Sequence, residues 1–376
     1  MATSSFDYAI IGAGAAGLHL ALKMCDDPYF KDKSILILEK DEKKNNDKTW
    51  SFWEIGETGW DRIASKKWPK AHFYGNGKHK ELILDPYLYK SIRAESFYQF
   101  AHEKISRQPN IHWKQDSISA IEDGVIQGAD QYEAKHIFDS RVSTAFDKEK
   151  DNHHTLAQHF LGWTVEVDED VFDIDSFTMM DYRLRWKQST SFMYVLPFST
   201  KKALFEYTLF DHQVIQKEDY EKMIKHYLEK YTAIRDYKIT EMEQGVIPMS
   251  TYPFEEDHKH NITKIGTAGG WVRPSSGYSF KNADRYSQMV VENLKNGSPP
   301  SKGVANSRFR YYDLIFLNVL ANRNDLGEKI FTNLYTKSKI QRLFRFLDEE
   351  STFFEDLSVM LTLNTKQFRK AFFDTL

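Results

Sequence analysis

A single cysteine, Cys25, is the whole thiol inventory of the chain. It allows no intramolecular disulfide and no zinc site built from thiolates, and no metal site is expected. Long apolar runs are missing too: nowhere do 18 apolar residues follow one another, so no segment reads as a membrane span. No secretory apolar segment precedes Phe6, which points to the cytosol. The charge excess is small, a net −3, and gives no electrostatic reason to expect nucleic acid. What is abundant is aromatic, with 27 Phe, 20 Tyr and 8 Trp. Two readings stand for that surplus: a large apolar cavity or surface, or extra aromatic core. At 376 residues the chain exceeds one core of ordinary size, so two domains are expected.

The most informative stretch lies at the beginning. Tyr8-Ala9-Ile10-Ile11 is a short apolar run of the kind a buried parallel strand needs. Gly12, Gly14 and Gly17 follow with G-x-G-x-x-G spacing. The first permits a tight turn, the second lets a pyrophosphate approach the backbone, and the third lets helix pack on strand. The helix predicted from Ala15 to Met24 aims its first N–H groups at the phosphates. Ile35 to Leu38 reads as a second buried strand ending at Glu39, where an acid can accept hydrogen bonds from an adenosine ribose. An ordinary glycine-rich turn would leave the placement of Glu39 unexplained. The motif alone does not separate FAD from NAD; its N-terminal position leans towards FAD.

Further along, the aromatic run Thr49-Trp50-Ser51-Phe52-Trp53 directly follows a polar loop. Either a loop tucks its aromatics into the core, or it walls a ligand site beside the dinucleotide. A helix is predicted from Ala94 to Lys104. His136 to Arg141 reads as a strand closing on a polar turn, where Asp139 and Arg141 either border the cofactor or form a strand-end ion pair. A domain crossover falls at Lys148 to His154. Runs at 160–167, 177–183, 191–197 and 202–208 then alternate in the manner of antiparallel strands. Asp219 to Tyr231 has helical spacing, and Glu241 to Met249 returns to strand character. Ile265-Gly266-Thr267-Ala268-Gly269-Gly270 is a second glycine-rich turn, followed by a helix from Asn282 to Leu294. After the breakers at 296–301 the remainder reads as helical. Its apolar stripe of Ile330, Phe331, Leu334, Tyr335, Ile340, Leu343, Phe344 and Leu347 carries basic flanks. That pattern suits a helix lying in a membrane interface or one packed on its own domain. Glu206 shares a strand face with Leu204 by alternation. It either points into apolar surroundings, faces solvent, or pairs with a neighbouring Arg.

In their order, DKTWSFW, HIFDSR, QHFLGW, MMDYR, YVLP, LFEYT, EQGVIPM and GTAGGWVRPSSGYSF resemble the bacterial lycopene cyclases, flavoproteins that close β-ionone rings on linear carotenes. The resemblance implies an α/β fold: a Rossmann-type FAD-binding domain with an inserted antiparallel β-sheet substrate domain and a helical C-terminal segment. The expected division is 1–80, 97–147 and 255–300 for the FAD-binding domain, and 81–96 with 148–254 for the substrate domain. Residues 301–376 form the helical segment, with membrane association among its readings. The expected cofactor contacts are Gly12, Gly14, Ala15, Ala16, Gly17, Glu39 and Lys40, with Gly266, Ala268, Gly269 and Ser279 on the flavin side. The resemblance further implies Glu206 as catalytic acid/base and a pocket shaped by Trp50, Trp53, Tyr182, Arg183, Glu243 and Tyr278. Lycopene is the implied substrate, reduced FAD the implied cofactor, and NAD(P)H its reductant. A cytoplasmic enzyme lying peripherally on the inner membrane, with other carotenoid-pathway enzymes as possible associates, completes the expectation.

Two departures stand out. The family usually shows a second acid beside the glutamate of the LFEYT-type motif, whereas this chain has Tyr207, which leaves the acid strength of Glu206 open. Thr267 stands where many flavin hydroxylases carry Asp, in agreement with a cyclase. Two other functions compete. A flavin monooxygenase or desaturase on another isoprenoid would consume NAD(P)H in step with product. A non-catalytic prenyl-lipid carrier of the same fold would purify colourless.

Overall fold

A computed structural model describes residues 4–304, 307–363 and 365–375. The first sheet is built on Ile35–Glu39, Ser4–Ile11 and Gln131–Asp139 in parallel, with Ile111–Gln115 and Ile262–Lys264 parallel on their flanks. All five residues of Ile35–Glu39 are buried, as a strand covered on both faces requires. On one face Ile10, Ile35, Ile37 and Phe138 pack with helices Ala15–Asp26, Ala94–Ile105 and Phe280–Lys295. The alternate residues Ala9, Ile11, Leu36 and Leu38 pack on the other face with Ile126 and Tyr132.

The second sheet runs in the order Lys238–Ser250, Thr155–Glu166, Lys202–Asp211, Thr190–Pro197, Ser176–Asp181, Lys70–Gly75, Lys78–Ile83. Its first five strands pair antiparallel, as the alternation predicts. The hairpin 70–83 joins this sheet through a parallel pairing of Lys70–Gly75 with Ser176–Asp181. That corrects the expected boundary at residue 80, which would cut the hairpin in two. Short strands carry no label for the sheet they join, because pairing is set by non-local contacts. A third sheet holds Thr49–Ile55, Tyr87–Arg93 and Ala64–Trp68. The DKTWSFW segment is therefore mostly strand rather than loop.

Period-2 alternation gives the second sheet two unlike faces. Leu161, Trp163, Val165, Phe205, Tyr207 and Leu209 pack against Tyr220, Ile224, Tyr227 and Leu228 of helix Lys217–Tyr231. Leu156, Phe192, Leu196, Leu204 and Phe210 face the C-terminal helices instead. Ile330, Phe331, Leu334, Tyr335, Ile340, Leu343 and Phe344 are all buried in that same cluster. The stripe read as a candidate membrane face is thus an internal packing face. Burying it against a sheet removes the same apolar area from water that a bilayer would. Exposed apolar side chains lie further on, in helices Phe353–Thr362 and Lys366–Asp374: Phe354 is 80% exposed, Leu361 62% and Phe373 71%. Arg273, itself buried, clamps the C-terminal helices to the loop that follows the second glycine-rich turn. Its guanidinium donates to the carbonyls of Phe346 and Leu347 at the end of helix Ile340–Leu347 and pairs with Asp313.

Candidate active site

The glycine loop joins Ser4–Ile11 to Ala15–Asp26 in the geometry its spacing predicts. Gly12 has φ +96, in the left-handed region, and a Cβ there would meet Ser140 Oγ at 2.0 Å. A Cβ on Gly17 would meet the Gly12 carbonyl oxygen at 1.9 Å, so this glycine is the point of closest approach between helix and loop. Gly14 differs, since a Cβ there would meet nothing within 4 Å. The open space lies at the helix N-terminus, where no side chain caps the first turn and no acid neutralises it. It is a cradle with free N–H donors, the donor set that a pyrophosphate requires. Glu39 closes its side, accepting from Ala13 N at 2.6 Å and Asp41 N at 3.0 Å. The second glycine turn folds as a short helix, Gly266–Gly269, and approaches the first: a Cβ on Gly266 would touch Ala16 Cβ at 3.0 Å. Ser279 stands at the N-terminal boundary of helix Phe280–Lys295 and lines the cavity described next. Ala268 is buried, whereas Lys40 is exposed and contributes only its carbonyl, to Gln115. Asp139 and Arg141 form an ion-paired group with Lys264.

Between the second sheet, the loop 275–280 and the C-terminal helices lies a cavity of about 580 Å³, a size typical of small-molecule sites. Phe160, Phe192, Phe210, Phe316, Phe331 and Leu343 make its walls mostly apolar. Trp50 and Tyr278 lie at the end nearer the glycine turns, with Phe280 stacked on Phe52 behind. Leu357, Leu361, Phe372 and Phe373 line the opposite end and are also exposed to solvent, so the cavity opens there.

Glu206 projects into this cavity from the middle of Lys202–Asp211. Its side chain is half-buried and lines the cavity. Burial raises its pKa well above the ordinary carboxylate value, and the neighbouring Glu243 carboxylate raises it further. Thr208 Oγ1 donates to Glu206 Oε1 at 2.8 Å. Glu243, raised mainly by burial, accepts from Thr49 Oγ1 at 2.7 Å. Among the described residues no basic side chain bonds to Glu206; Arg93, which acts on Glu243, is held by Glu241 and Glu95.

The remaining pocket residues separate. Trp50 and Tyr278 line the cavity. Trp53 sits behind it, stacked on Phe344 at 4.3 Å with its indole N–H donated to Asp348. Tyr182 is buried among Phe73, Phe192 and Phe331 and lies outside the lining. Arg183 points elsewhere: it pairs with Asp181 and lies between the rings of Tyr74 and Tyr231. The pocket expectation is corrected for these three. A register irregularity between Thr178 and Asp181 breaks the strand alternation just before Arg183. Tyr207 is fully buried on the opposite face of the sheet, so an acid at that position would not face the cavity. Sequence reasoning passed over Thr49, Thr208, Gly162 and Tyr194. Only Thr208, two residues past Glu206 on one strand face, carried a local signal.

The sheet of parallel strands with its glycine loop, joined to a second, largely antiparallel sheet over a cavity, is the fold of the flavin-dependent enzymes. A geranylgeranyl bacteriochlorophyll reductase-like protein from Thermoplasma acidophilum superposes with a TM-score of 0.69 over the whole of both chains at 11% identity. A flavin-dependent brominase superposes with 0.56 over 99% of each chain at 14% identity. At such identities the likeness concerns the fold. The chain itself belongs to the lycopene cyclase protein family, whose model matches residues 7–374. It is 26% identical over 395 residues to a chloroplastic lycopene beta cyclase of Arabidopsis thaliana, a match covering 98% of this chain and 72% of that protein. It is 24% identical over 333 residues to a chloroplastic neoxanthin synthase of Solanum tuberosum, covering 81% of this chain and 64% of that one. The chain therefore spans less than two thirds of the neoxanthin synthase's length.

Proposed function

We propose that the protein is a lycopene β-cyclase, converting the linear ends of lycopene to β-ionone rings without net oxidation. The observation that carries this is a carboxyl group, Glu206, on the wall of an apolar cavity, where burial favours its protonated form. A hydrocarbon offers no polar group to activate, so the first step needs a strong proton donor placed at a terminal alkene carbon. Glu206 gives that proton to carbon, the neighbouring double bond closes the ring, and the Glu206 carboxylate takes a proton back from the new ring. Atoms and electrons balance, as an isomerisation requires. The apolar walls exclude water that would otherwise capture the cation. Trp50 and Tyr278 are placed on the cavity wall to face it with aromatic electron density. Gly12, Gly14, Ala15, Ala16, Gly17 and Glu39 would hold FAD by its pyrophosphate and ribose, and Gly266, Ala268, Gly269 and Ser279 would hold its flavin side. Bound and reduced by NAD(P)H, FAD would supply negative charge beside the developing cation.

The substrate side of the proposal includes a membrane surface. A C40 hydrocarbon is confined to nonpolar phases by about 0.8 kcal/mol per CH₂. Among the described residues no helix is long and apolar enough to cross a membrane. The exposed Leu361 and Phe373 line the open end of the cavity, on two amphipathic helices that also carry the exposed Phe353 and Phe354 with Lys366, Arg369 and Lys370. Such a face suits a bilayer with anionic headgroups.

Expression in a lycopene-accumulating bacterium tests the function. The native chain should yield β-carotene or its one-ring precursor. Glu206→Gln keeps the shape, removes the proton and should leave lycopene in a folded, yellow protein. Normal cyclic carotene from that variant would rule the reading out.

A further inference from the structure

We propose that Glu206 works as one half of a carboxyl pair with Glu243, the two sharing one proton across the side-chain-free gap at Gly162. The inference rests on the cyclase reading and assigns Glu243 a positioning role within it.

Gly162 lies in Thr155–Glu166, the strand between those of the two acids. Its register partner on one side is Glu206 and on the other Glu243. Residues directly opposite in antiparallel strands present their side chains on one face, so 243, 162 and 206 form a single row. The outer two backbones stand roughly 10 Å apart, twice the strand spacing. A side chain at the middle position would separate the acids. A Cβ on Gly162 would come within 3.2 Å of Glu243 Cγ and 3.4 Å of Glu206 Cβ, and 2.9 Å of Leu204 Cδ1. Both glutamates therefore lean into the space the glycine leaves, close enough that each carboxyl acts on the proton affinity of the other. A threonine hydroxyl serves each acid from the outside, Thr208 for Glu206 and Thr49 for Glu243.

Two carboxylates in contact inside an apolar cavity do not both ionise; one proton stays with the pair. The two are not equivalent. Glu206 faces the cavity, while Glu243 is nearly covered and lies closer to Arg93. The proton therefore resides on Glu206, which lines the cavity, and Glu243 accepts its hydrogen bond. The groups next to the pair are compensated or neutral. Arg93 and Lys202 pair with Glu241, and Tyr194, opposite Glu206 in register, is a phenol bonded to Tyr89. Further around the cavity, Asp313 pairs with Arg273, Lys48 and Arg369 are the lining cations, and Tyr278, Tyr312 and Tyr335 are phenols. Once Glu206 has given its proton to carbon, two carboxylates face one carbocation. The return of a proton from the ring to Glu206 is then favoured, restoring the starting state.

The test follows protonated-carboxyl C=O absorption by infrared difference titration of the full holoprotein, together with the pH profile of cyclisation. In the native protein one band should persist through neutral pH and vanish in Glu206→Gln. In Glu243→Gln, where an amide donor replaces a negative neighbour, the Glu206 band should titrate at least one pH unit lower. The alkaline limb of kcat should move with it, and activity should persist at acid pH. Gly162→Ala, which keeps both acids but wedges them apart, should shift both readouts in the same direction. An unmoved band in Glu243→Gln and Gly162→Ala overturns the pair while leaving Glu206 as the acid. Undiminished cyclisation by Glu206→Gln overturns the underlying reading, whatever the infrared result.

Discussion

Two glycines of the N-terminal loop, three residues apart, should fail in opposite ways when given a side chain. At Gly17 an alanine Cβ would lie 1.9 Å from the Gly12 carbonyl oxygen and 3.2 Å from Ile10 Cγ2. Restoring van der Waals separation means moving helix and loop apart by more than about 1 Å. Overpacking of this sort costs about 1–3 kcal/mol or more, against roughly 1 kcal/mol of helix propensity gained. At Gly14 the backbone is extended, φ −80 and ψ −169, and the space beyond it is open. Gly14→Val should therefore change the stability of the flavin-free protein by no more than about 1 kcal/mol, the range of an N-cap replacement. The same side chain would occupy the pyrophosphate path. The assay is flavin absorbance per protein, with thermal unfolding in flavin-free and FAD-saturated buffer. A ligand present at one hundred times its Kd adds about 2.7 kcal/mol to the native protein. Gly14→Val should show no such gain but an unchanged flavin-free midpoint. Gly17→Ala should unfold several degrees lower even without flavin. The reasoning is refuted if Gly14→Val purifies fully yellow, or if its flavin-free form is destabilised as much as Gly17→Ala.

Arg183→Ala should leave cyclisation within about two-fold of native in a pigment assay, because its guanidinium is spent on Asp181 and two tyrosine rings away from the cavity; loss of product formation would contradict that placement. Replacing Phe354 and Phe373 with Ser should weaken flotation with anionic liposomes at low salt while leaving the thermal midpoint unchanged, since both side chains are exposed. Burial lowers the pKa of His136 to about 4, so its contribution to stability is complete above its unfolded value of about 6.5 and is lost as the pH falls towards 4. That loss reaches at most about 3 kcal/mol, and His136→Gln should flatten the acid limb of a pH–stability curve. Dithionite-reduced protein held without oxygen should form many cyclic products per flavin; one-to-one consumption of electrons would favour an oxidoreductase instead.

Local features of this chain were legible in its residues. The glycine loop and its flanking strands are specified by chemistry within about thirty residues, because a tight turn, a helix N-terminus and a strand-end acid are neighbours along the chain. The antiparallel strands and helix Lys217–Tyr231 announce themselves by period alone. Alternation also put Glu206 on the face of Leu204, and the cavity lies on that face. Alternation holds less well along the irregular strand Ser176–Asp181, and Arg183, which the family resemblance placed in the pocket, pairs with Asp181 away from it.

A dinucleotide-type loop, an antiparallel sheet and an aromatic, helical C-terminal segment were written in the residues, since each follows from short-range periodicity and turn chemistry. What those elements enclose was settled by long-range packing. Amphipathic helices bury their stripes wherever apolar surface is offered, and here the face of a sheet took the surface that a bilayer could have taken. Glu206 and Glu243 lie on strands that meet only through a third, Thr155–Glu166, and their approach depends on a register that places Gly162 between them. Register is fixed by long-range pairing and shifts every side chain to the other face if it slips by one residue, so no reading of either glutamate's own neighbourhood could have joined them.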